Sequence, residues 1–227
     1  MLTVIESVLD AAEVRDFRKA LASARWIDGA QTAGTRSVAV KQNLQLDRGD
    51  PLAVDLGNRI LRKLGHHPLF VSASLAETIW PPVFNCYANG GHYGTHVDSA
   101  LMRHPDLGRT MRSDLSATLF LSDPDDYEGG ELVIEGQFGG QAVKLPAGDM
   151  VLYPSSSLHQ VTPVTAGERV CAIMWMQSAV ADHSARAILF DLDQSIQALA
   201  VGRSKDDADI DRLIHVYHNL LRRWAQP

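Results

Sequence analysis

From about residue 69 to residue 178 the chain is a succession of short β-rich runs: "LFVSASLAETIW", "PVFNCYA", "LSATLFLS", "ELVIEG", "QAVKLPAG", "DMVLYPS", "LHQVTPV" and "RVCAIMWMQS". Gly, Pro, Asp and Ser punctuate them. About eight strands in roughly 110 residues, with no helix between them, predict a β-sandwich or barrel rather than an alternating α/β fold.

The flanks have the helical period instead. In "DAAEVRDFRKALASA", Asp10 and Glu13 form a start signal, and Val14, Phe17 and Leu21 recur on one face. In "GDPLAVDLGNRILRKLG", Asp50 can cap, Pro51 suits the first turn, and Leu52, Leu56, Ile60 and Leu64 make a stripe ended by Gly65. Beyond Gln177, Ile188, Leu192, Ile196 and Leu199 form one stripe. Ile210, Leu213, Ile214, Tyr217, Leu221 and Trp224 form another, and "GRSKDDAD" separates the two. The expected organisation is an N-terminal helical and β support region (1–68), a β core (69–178) and a C-terminal helical segment (179–227). The C-terminal stripes must cover either the β core or a second copy in a homodimer.

With 227 residues, 45% of them hydrophobic, such a core needs no disulfide or metal to be stable. A metal site in this chain therefore points to chemistry. The net charge of -6 argues against a nucleic-acid partner. Cys86 and Cys171 lie in apolar runs without a C-x-x-C partner and read as buried free thiols of a reducing compartment. The start, "MLTVIESVLDAAEVRDF", has neither a basic region nor a long apolar region, and no apolar run approaches the length of a membrane span. The expected location is the cytoplasm, away from any membrane.

Two histidines and an aspartate stand close together in "NGGHYGTHVDSA". His96 and Asp98 are two apart, so in a strand both side chains face one way. His159, in "SSSLHQVTPV", is the histidine among the later strands that can join them. Two histidines and one carboxylate leave three positions of an octahedral iron(II) open; a His/His/Asp zinc site is the rival. Arg169 opens the next run. If it faces inward, its burial costs several kcal/mol unless an anion meets it, and a guanidinium binds a carboxylate bidentately. "TPVTAGE" looks like a hairpin connection between His159 and Arg169. For both to point inward, an odd-residue loop or a bulge is expected around Thr165-Ala166-Gly167. The remaining histidines have plainer readings. His66 and His67 follow a helix end, His104 sits in a basic loop, and His183, His215 and His218 fall in the C-terminal helices.

With these residues in view, the chain resembles the iron(II)- and 2-oxoglutarate-dependent dioxygenases of the prolyl-4-hydroxylase-like class, through His96-Val97-Asp98, His159 and Arg169. It is most similar to the bacterial PKHD-type hydroxylases, named for iron-uptake factors. "HVDSA", "RSDLSATLFLSDPDDYEGGELVIE", "VKLPAGDMVLYPSSSLHQVTPVT" and "LFDLDQSIQ" carry that likeness over almost the whole chain.

The resemblance implies a double-stranded β-helix, or jelly roll, with flanking helices. It implies iron held by His96, Asp98 and His159, with Arg169 on the distal carboxylate of 2-oxoglutarate. Asn85 and Tyr87, in "FNCYANGG", resemble an N-x-Y feature beside the cosubstrate. Trp175, on the face of Arg169 by period two, stands where relatives often have a pocket aromatic. His92 matches no ligand position of the family, and Gly90, Gly91 and Gly94 fit a tight approach to the metal strand. The implied reaction turns 2-oxoglutarate and O2 into succinate and CO2 while hydroxylating a small-molecule or peptidyl substrate, with L-ascorbate (vitamin C) as reductant. The family's label suggests an amino-acid or peptidyl substrate, and its iron-uptake association a siderophore or an uptake regulator. A sensor of iron or 2-oxoglutarate without turnover is the alternative. A cupin-like zinc hydrolase or isomerase would show H-x-H with a glutamate in place of H-x-D. Arg103, Arg109 and Arg112 in "SALMRHPDLGRTMRSD" give a local positive charge, read either as a solvated loop or as a lid for an anionic or carbonyl-rich substrate.

Overall fold

The computed structural model describes residues 1–32, 40–136 and 139–226. Strand β1 (Thr3–Ile5) leads into α1 (Ala11–Ala22). The Asp10 carboxylate accepts from the backbone N–H groups of Ala12 and Glu13, and Glu13 accepts from that of Asp10, which completes the expected capping box. After β2 (Trp26–Asp28), β3 (Lys41–Gln42) and β4 (Leu44–Leu46) comes α2 (Pro51–Gly65), capped by Asp50. Leu56, Ile60 and Leu64 are at most 1% exposed. Burying each such side chain is worth about 1.5–3 kcal/mol.

At the next element the sequence pattern misleads. "LFVSASLAETIW" reads as a strand, yet it divides into α3 (Pro68–Ser74) and β5 (Ala76–Ile79). His67 caps α3 through the Phe70 N–H, Pro68 fits its first turn, and Leu75 stops it with φ 44°. Local capping here outweighs the strand-like reading of the run. The strands that follow are β6 (Val83–Ala88), β7 (His92–His96), β8 (Leu101–Arg103), β9 (Thr110–Arg112), β10 (Leu115–Phe120) and β11 (Tyr127–Gly129). They continue with β12 (Leu132–Gly136), β13 (Gly139–Val143), β14 (Met150–Pro154), β15 (His159–Val161) and β16 (Val164–Ser178). Helices α4 (His183–Ala200) and α5 (Ala208–Trp224) close the chain.

Among the described residues, nine strands form one antiparallel sheet, ordered β1-β14-β10-β16-β6-β4-β2, with β5 and β11 also paired to β16. Five form a second, ordered β13-β12-β15-β7-β3. This is the jelly roll that the sequence predicted. The hairpin between His159 and Arg169 is not formed. β15 pairs with β12 and β7, while β16 pairs with β10 and β6 in the other sheet. Pro163 lies in the short link that carries the chain across, and it lacks the N–H that would continue a ladder. A register irregularity does fall at Thr165, but against β11: Glu128 pairs with Ala166 and Gly129 with Val164.

β16 shows how the fold sorts its side chains. Val170, Ala172, Met174 and Met176 join the core under α1, α2 and α3, with Phe17, Ile60 and Phe84. Arg169, Cys171, Ile173 and Trp175 alternate with them and face the space between the sheets. There Cys171 packs with Tyr87, Phe120, Ile134 and Val161. At the C-terminus the predicted α4 stripe is rotated. Ala185, Leu189 and Ile196 are buried, while Ile188 and Leu199 are 51% and 44% exposed. The reason is that the buried face of α4 meets α3 and Leu75 as well as α5, the latter through Tyr217, Leu220, Leu221 and Trp224.

Candidate metal centre and cosubstrate cavity

His96 ends β7 and His159 begins β15, and the two are cross-strand partners. From this pair to Tyr93↔Val161 the register slips, because three steps on β7 span two on β15. The extra residue is a β-bulge, which brings Tyr93 to the same side as His96. Their rings stack with centroids 3.6 Å apart. Gly94 lies in this bulge, where a Cβ would meet that of Val40 at 3.0 Å. Asp98 lies beyond the strand, in irregular chain, so strand pleating does not aim it as the sequence suggested.

A side-chain relay aims it instead. Ser116 Oγ donates to Asp98 Oδ2 at 2.6 Å, Ser155 Oγ lies 2.7 Å from Ser116 Oγ, and Ser113 Oγ donates to Ser155 at 2.9 Å. Each hydroxyl has one proton. Because Ser116 gives its own to the carboxylate, Ser155 must donate to Ser116, and the chain runs one way. All three serines are buried.

The metal-binding set is His96, Asp98 and His159, with one ligand atom of each within 4.8 Å of the others. Asp98 Oδ1 is 4.0 Å from His96 Nε2, and Oδ2 is 3.8 Å from His159 Nε2. Each imidazole uses its other nitrogen on the chain: His96 Nδ1 meets Gly94 O at 2.8 Å and His159 Nδ1 meets Ser157 O at 3.0 Å. A carbonyl only accepts, so both Nδ1 atoms carry a proton, and Nε2 is the ring atom that each histidine presents on the side of Asp98. Burial, then repulsion by His159, pulls the pKa of His96 down to about 4. It is therefore neutral, as a ligand must be, at pH 7. His92 is not in this set; its Nδ1 meets Gly90 O.

A cavity of about 750 Å³ opens over the three residues. At its inner end stands Arg169, 1% exposed. Its guanidinium lies 5.2 Å from both the Tyr87 and Phe120 rings. Nη1 donates to Cys171 Sγ at 3.1 Å, and Nε has no hydrogen-bond partner among the described residues. No carboxylate lies within 4.0 Å of it among the described residues. Gly130 lies against its stem: at φ 67°, a Cβ would come within 3.1 Å of Arg169 Cδ. A buried, half-satisfied cation beside three metal-ligating side chains is a place for a metal-bound anion.

Tyr87 and Trp175 line the cavity, as does each of the three metal-binding residues. Asn85 is buried behind its wall instead. Its Oδ1 accepts from Asn43 and Gln45, and its Nδ2 donates to the Val83 carbonyl, so it fastens β4 to β6. The basic segment also separates. Arg112 is bidentate on Asp114, and Arg109 meets Thr78 and Glu77, whereas Arg103 lines the cavity. His104 is buried, and its Nδ1 accepts the Asp106 and Leu107 N–H groups. Tyr93, Lys41, Arg48 and the three serines escaped the sequence reading. The alternation of Ser116 and Thr118 with apolar residues in "LSATLFLS" is the signal that marked a polar inner face.

This fold and this arrangement define a class. Residues 82–177 match the 2OG-Fe(II) oxygenase superfamily, whose reagents are iron(II), 2-oxoglutarate and O2. A prolyl-4-hydroxylase of Pseudomonas putida has the same fold at 20% identity, with a TM-score of 0.52 over 78% of this chain and 92% of that one. So does a viral collagen prolyl hydroxylase of Paramecium Bursaria Chlorella virus-1, at 15% identity and a TM-score of 0.54 over 78% and 96%. Within the class, residues 183–226 match the PKHD-type hydroxylase C-terminal domain. A PKHD-type hydroxylase of Teredinibacter turnerae is 61% identical over 100% of both chains, and one of Acidovorax ebreus 59% identical over 100% of both. The chain belongs to the PKHD-type hydroxylases and is an oxygenase. The predicted free thiols are found, with Cys86 and Cys171 both buried and unpaired. Among the described residues, no helix is long and apolar enough to cross a membrane.

Proposed function

We propose that this enzyme hydroxylates an organic substrate in the cavity above His96, Asp98 and His159, which hold iron(II), with 2-oxoglutarate as cosubstrate. The observation that carries this is Arg169, a buried guanidinium that has no carboxylate within 4.0 Å among the described residues and lies in the same cavity as a metal-ligating triad. The donor set fits: two imidazoles whose Nδ1 atoms are engaged by backbone carbonyls and one carboxylate make the facial set that suits iron(II). When bound, iron(II) with 2-oxoglutarate and O2 supplies the oxidising chemistry, in which the cosubstrate becomes succinate and CO2 and one oxygen atom enters a C–H bond.

The protein's part is positioning and water exclusion. Arg169 takes the distal carboxylate of 2-oxoglutarate. Tyr87 and Phe120 flank the guanidinium and keep its surroundings apolar, so that the fork discriminates strongly for an anion. Ser116 orients the Asp98 carboxylate, and the Gly94 and Ser157 carbonyls fix both imidazole tautomers. Trp175 belongs to the substrate side of the cavity, Asn85 to its support. L-ascorbate serves to keep the iron reduced, the enzyme works in the cytoplasm, and the exposed Ile188, Ile214 and Val216 of α4 and α5 accord with a homodimer.

The test is succinate release and O2 uptake by iron(II)-loaded enzyme supplied with 2-oxoglutarate. Turnover that depends on 2-oxoglutarate and vanishes in Asp98→Ala supports the reading. A protein that binds 2-oxoglutarate but never turns it over, with extracts or small acids as substrates, is instead a sensor.

A further inference from the structure

The outer half of the cavity differs in chemistry from the inner half. Trp80, Trp175, Met102 and Ile173 form an apolar wall there, with the two indoles edge to face at 6.3 Å. Such rings offer flat apolar area at fixed orientation. Besides Arg169, the described lining of the cavity carries three cations, Lys41, Arg48 and Arg103, against two carboxylates, Asp47 and the metal-binding Asp98. On a chain of net charge -6 this is a local reversal of sign.

None of the three cations has a carboxylate within 4.0 Å among the described residues. Two stand over aromatic rings instead. Lys41 Nζ is 5.3 Å from the Tyr93 centroid, and the Arg48 guanidinium is 5.2 Å from that of Trp80. Tyr93 is the ring that stacks on His96, so the Lys41 ammonium lies one ring away from the metal-binding set. Lys41 is also half-buried. Burial draws its pKa down to about 8, with Asp28 opposing. It stays charged at neutral pH but is poorly solvated, which favours an anionic ligand over water. Arg109 and Arg112, by contrast, are already engaged by Glu77 and Asp114.

We propose that this outer chamber selects an organic carboxylate with a flat apolar body, seated against Trp80 and Trp175 with its carboxylate held by Lys41 and Arg48. The inference rests on the function proposed above and names the substrate class of that same site. It places the anion at the rim and the C–H bonds of the body towards His96, Asp98 and His159. A cluster of like charges at a cleft mouth also draws anions in from solution.

The probes are phenylacetate and 2-naphthoate, compared with the matching amines and alcohols and with Gly-Gly-Phe bearing a free or an amidated C-terminus. Binding is read as proton relaxation of each probe by Mn(II) in enzyme loaded with Mn(II) and 2-oxoglutarate without O2. The expected result is relaxation of the carboxylates at least about tenfold stronger than of their amines, and a loss of about fivefold to tenfold in affinity in Lys41→Met and in Arg48→Met. Thermal melting and 2-oxoglutarate binding of both variants should match the wild type. The peptide with a free C-terminus relaxing as strongly as phenylacetate places the carboxylate on a chain end; silence of both peptides places it on a small acid. Equal relaxation of acids and amines, or variants with unchanged preference, overturns the inference while leaving the iron and 2-oxoglutarate reading intact. Failure of the wild type to bind Mn(II) and 2-oxoglutarate overturns both.

Discussion

Replacing Arg169 by methionine separates ligand binding from folding. The side chain makes two ring contacts, each worth about 2 kcal/mol when desolvated, and one bond to the Cys171 thiol. Against these stands the cost of keeping a charge out of water, several kcal/mol, with Nε unpartnered. The two nearly cancel, so the ligand-free melting temperature should change little. With 2-oxoglutarate the outcome is different. At about 100 times its Kd, the cosubstrate stabilises the wild type by about 2.7 kcal/mol, a rise of about 5 to 10 °C for a chain of this size. Losing one side of a buried charge pair costs about 2–5 kcal/mol, or at least about 30-fold in Kd. The same concentration is then about 3 times the Kd of the variant or less, which leaves about 0.8 kcal/mol and about 3 °C at most. Melting of the Mn(II)-loaded proteins with and without 2-oxoglutarate, under argon, measures this. A variant that keeps the wild-type rise would refute the assignment of the guanidinium to the cosubstrate carboxylate. A ligand-free variant that melts far below the wild type would refute the cancellation.

Ser116→Ala removes a charge-assisted bond worth about 1.5–3 kcal/mol. Metal affinity, measured by calorimetry with Mn(II), should fall about 10- to 100-fold while the fold is kept, and Ser116→Thr should restore part of it. Gly130→Ala places a methyl against Val164, Tyr127 and Arg169 at a positive φ, so it should lower the melting temperature and raise the 2-oxoglutarate KM together. Ile60→Ala, at a fully buried site under the large sheet, should cost about 2–5 kcal/mol in denaturant unfolding and leave 2-oxoglutarate KM unchanged. Phenylacetate binding should fade as pH rises through about 8, where the Lys41 ammonium loses its proton, and persist in Lys41→Arg. Asp28 of β2 opposes that loss, and Tyr93 and His96 of β7 are the titratable groups beside it.

Most of the β core could be read from the chain because its strands carry their own period and punctuation. α1 and α2 could be read because their caps and stripes are local. What failed to show is non-local. Nothing near Thr162 says that the chain changes sheets there, and a hairpin is the cheaper local guess. α3 is the local exception: one histidine cap and one proline decide it inside a run that reads as a strand. The α4 stripe turned because the surfaces it meets belong to α3 and α5. At the site, His96, Asp98, His159 and Arg169 stood out as chemically unusual for their positions. Ser113, Ser116 and Ser155 did not, since a serine in or beside a strand is ordinary until distant segments of the chain deliver its partners. Lys41 and Arg48 are likewise ordinary surface residues in sequence, and become a rim only when β3 and β4 are laid beside β7 and β6.

One measurement bears on the whole scheme at once: a crystal structure of the protein grown without O2 in the presence of Mn(II) and 2-oxoglutarate. The expected density has the metal bonded to His96 Nε2, Asp98 and His159 Nε2, with the distal carboxylate of 2-oxoglutarate in a two-pronged contact with Arg169. A metal held by other side chains, or a 2-oxoglutarate whose distal carboxylate lies away from Arg169, would contradict it.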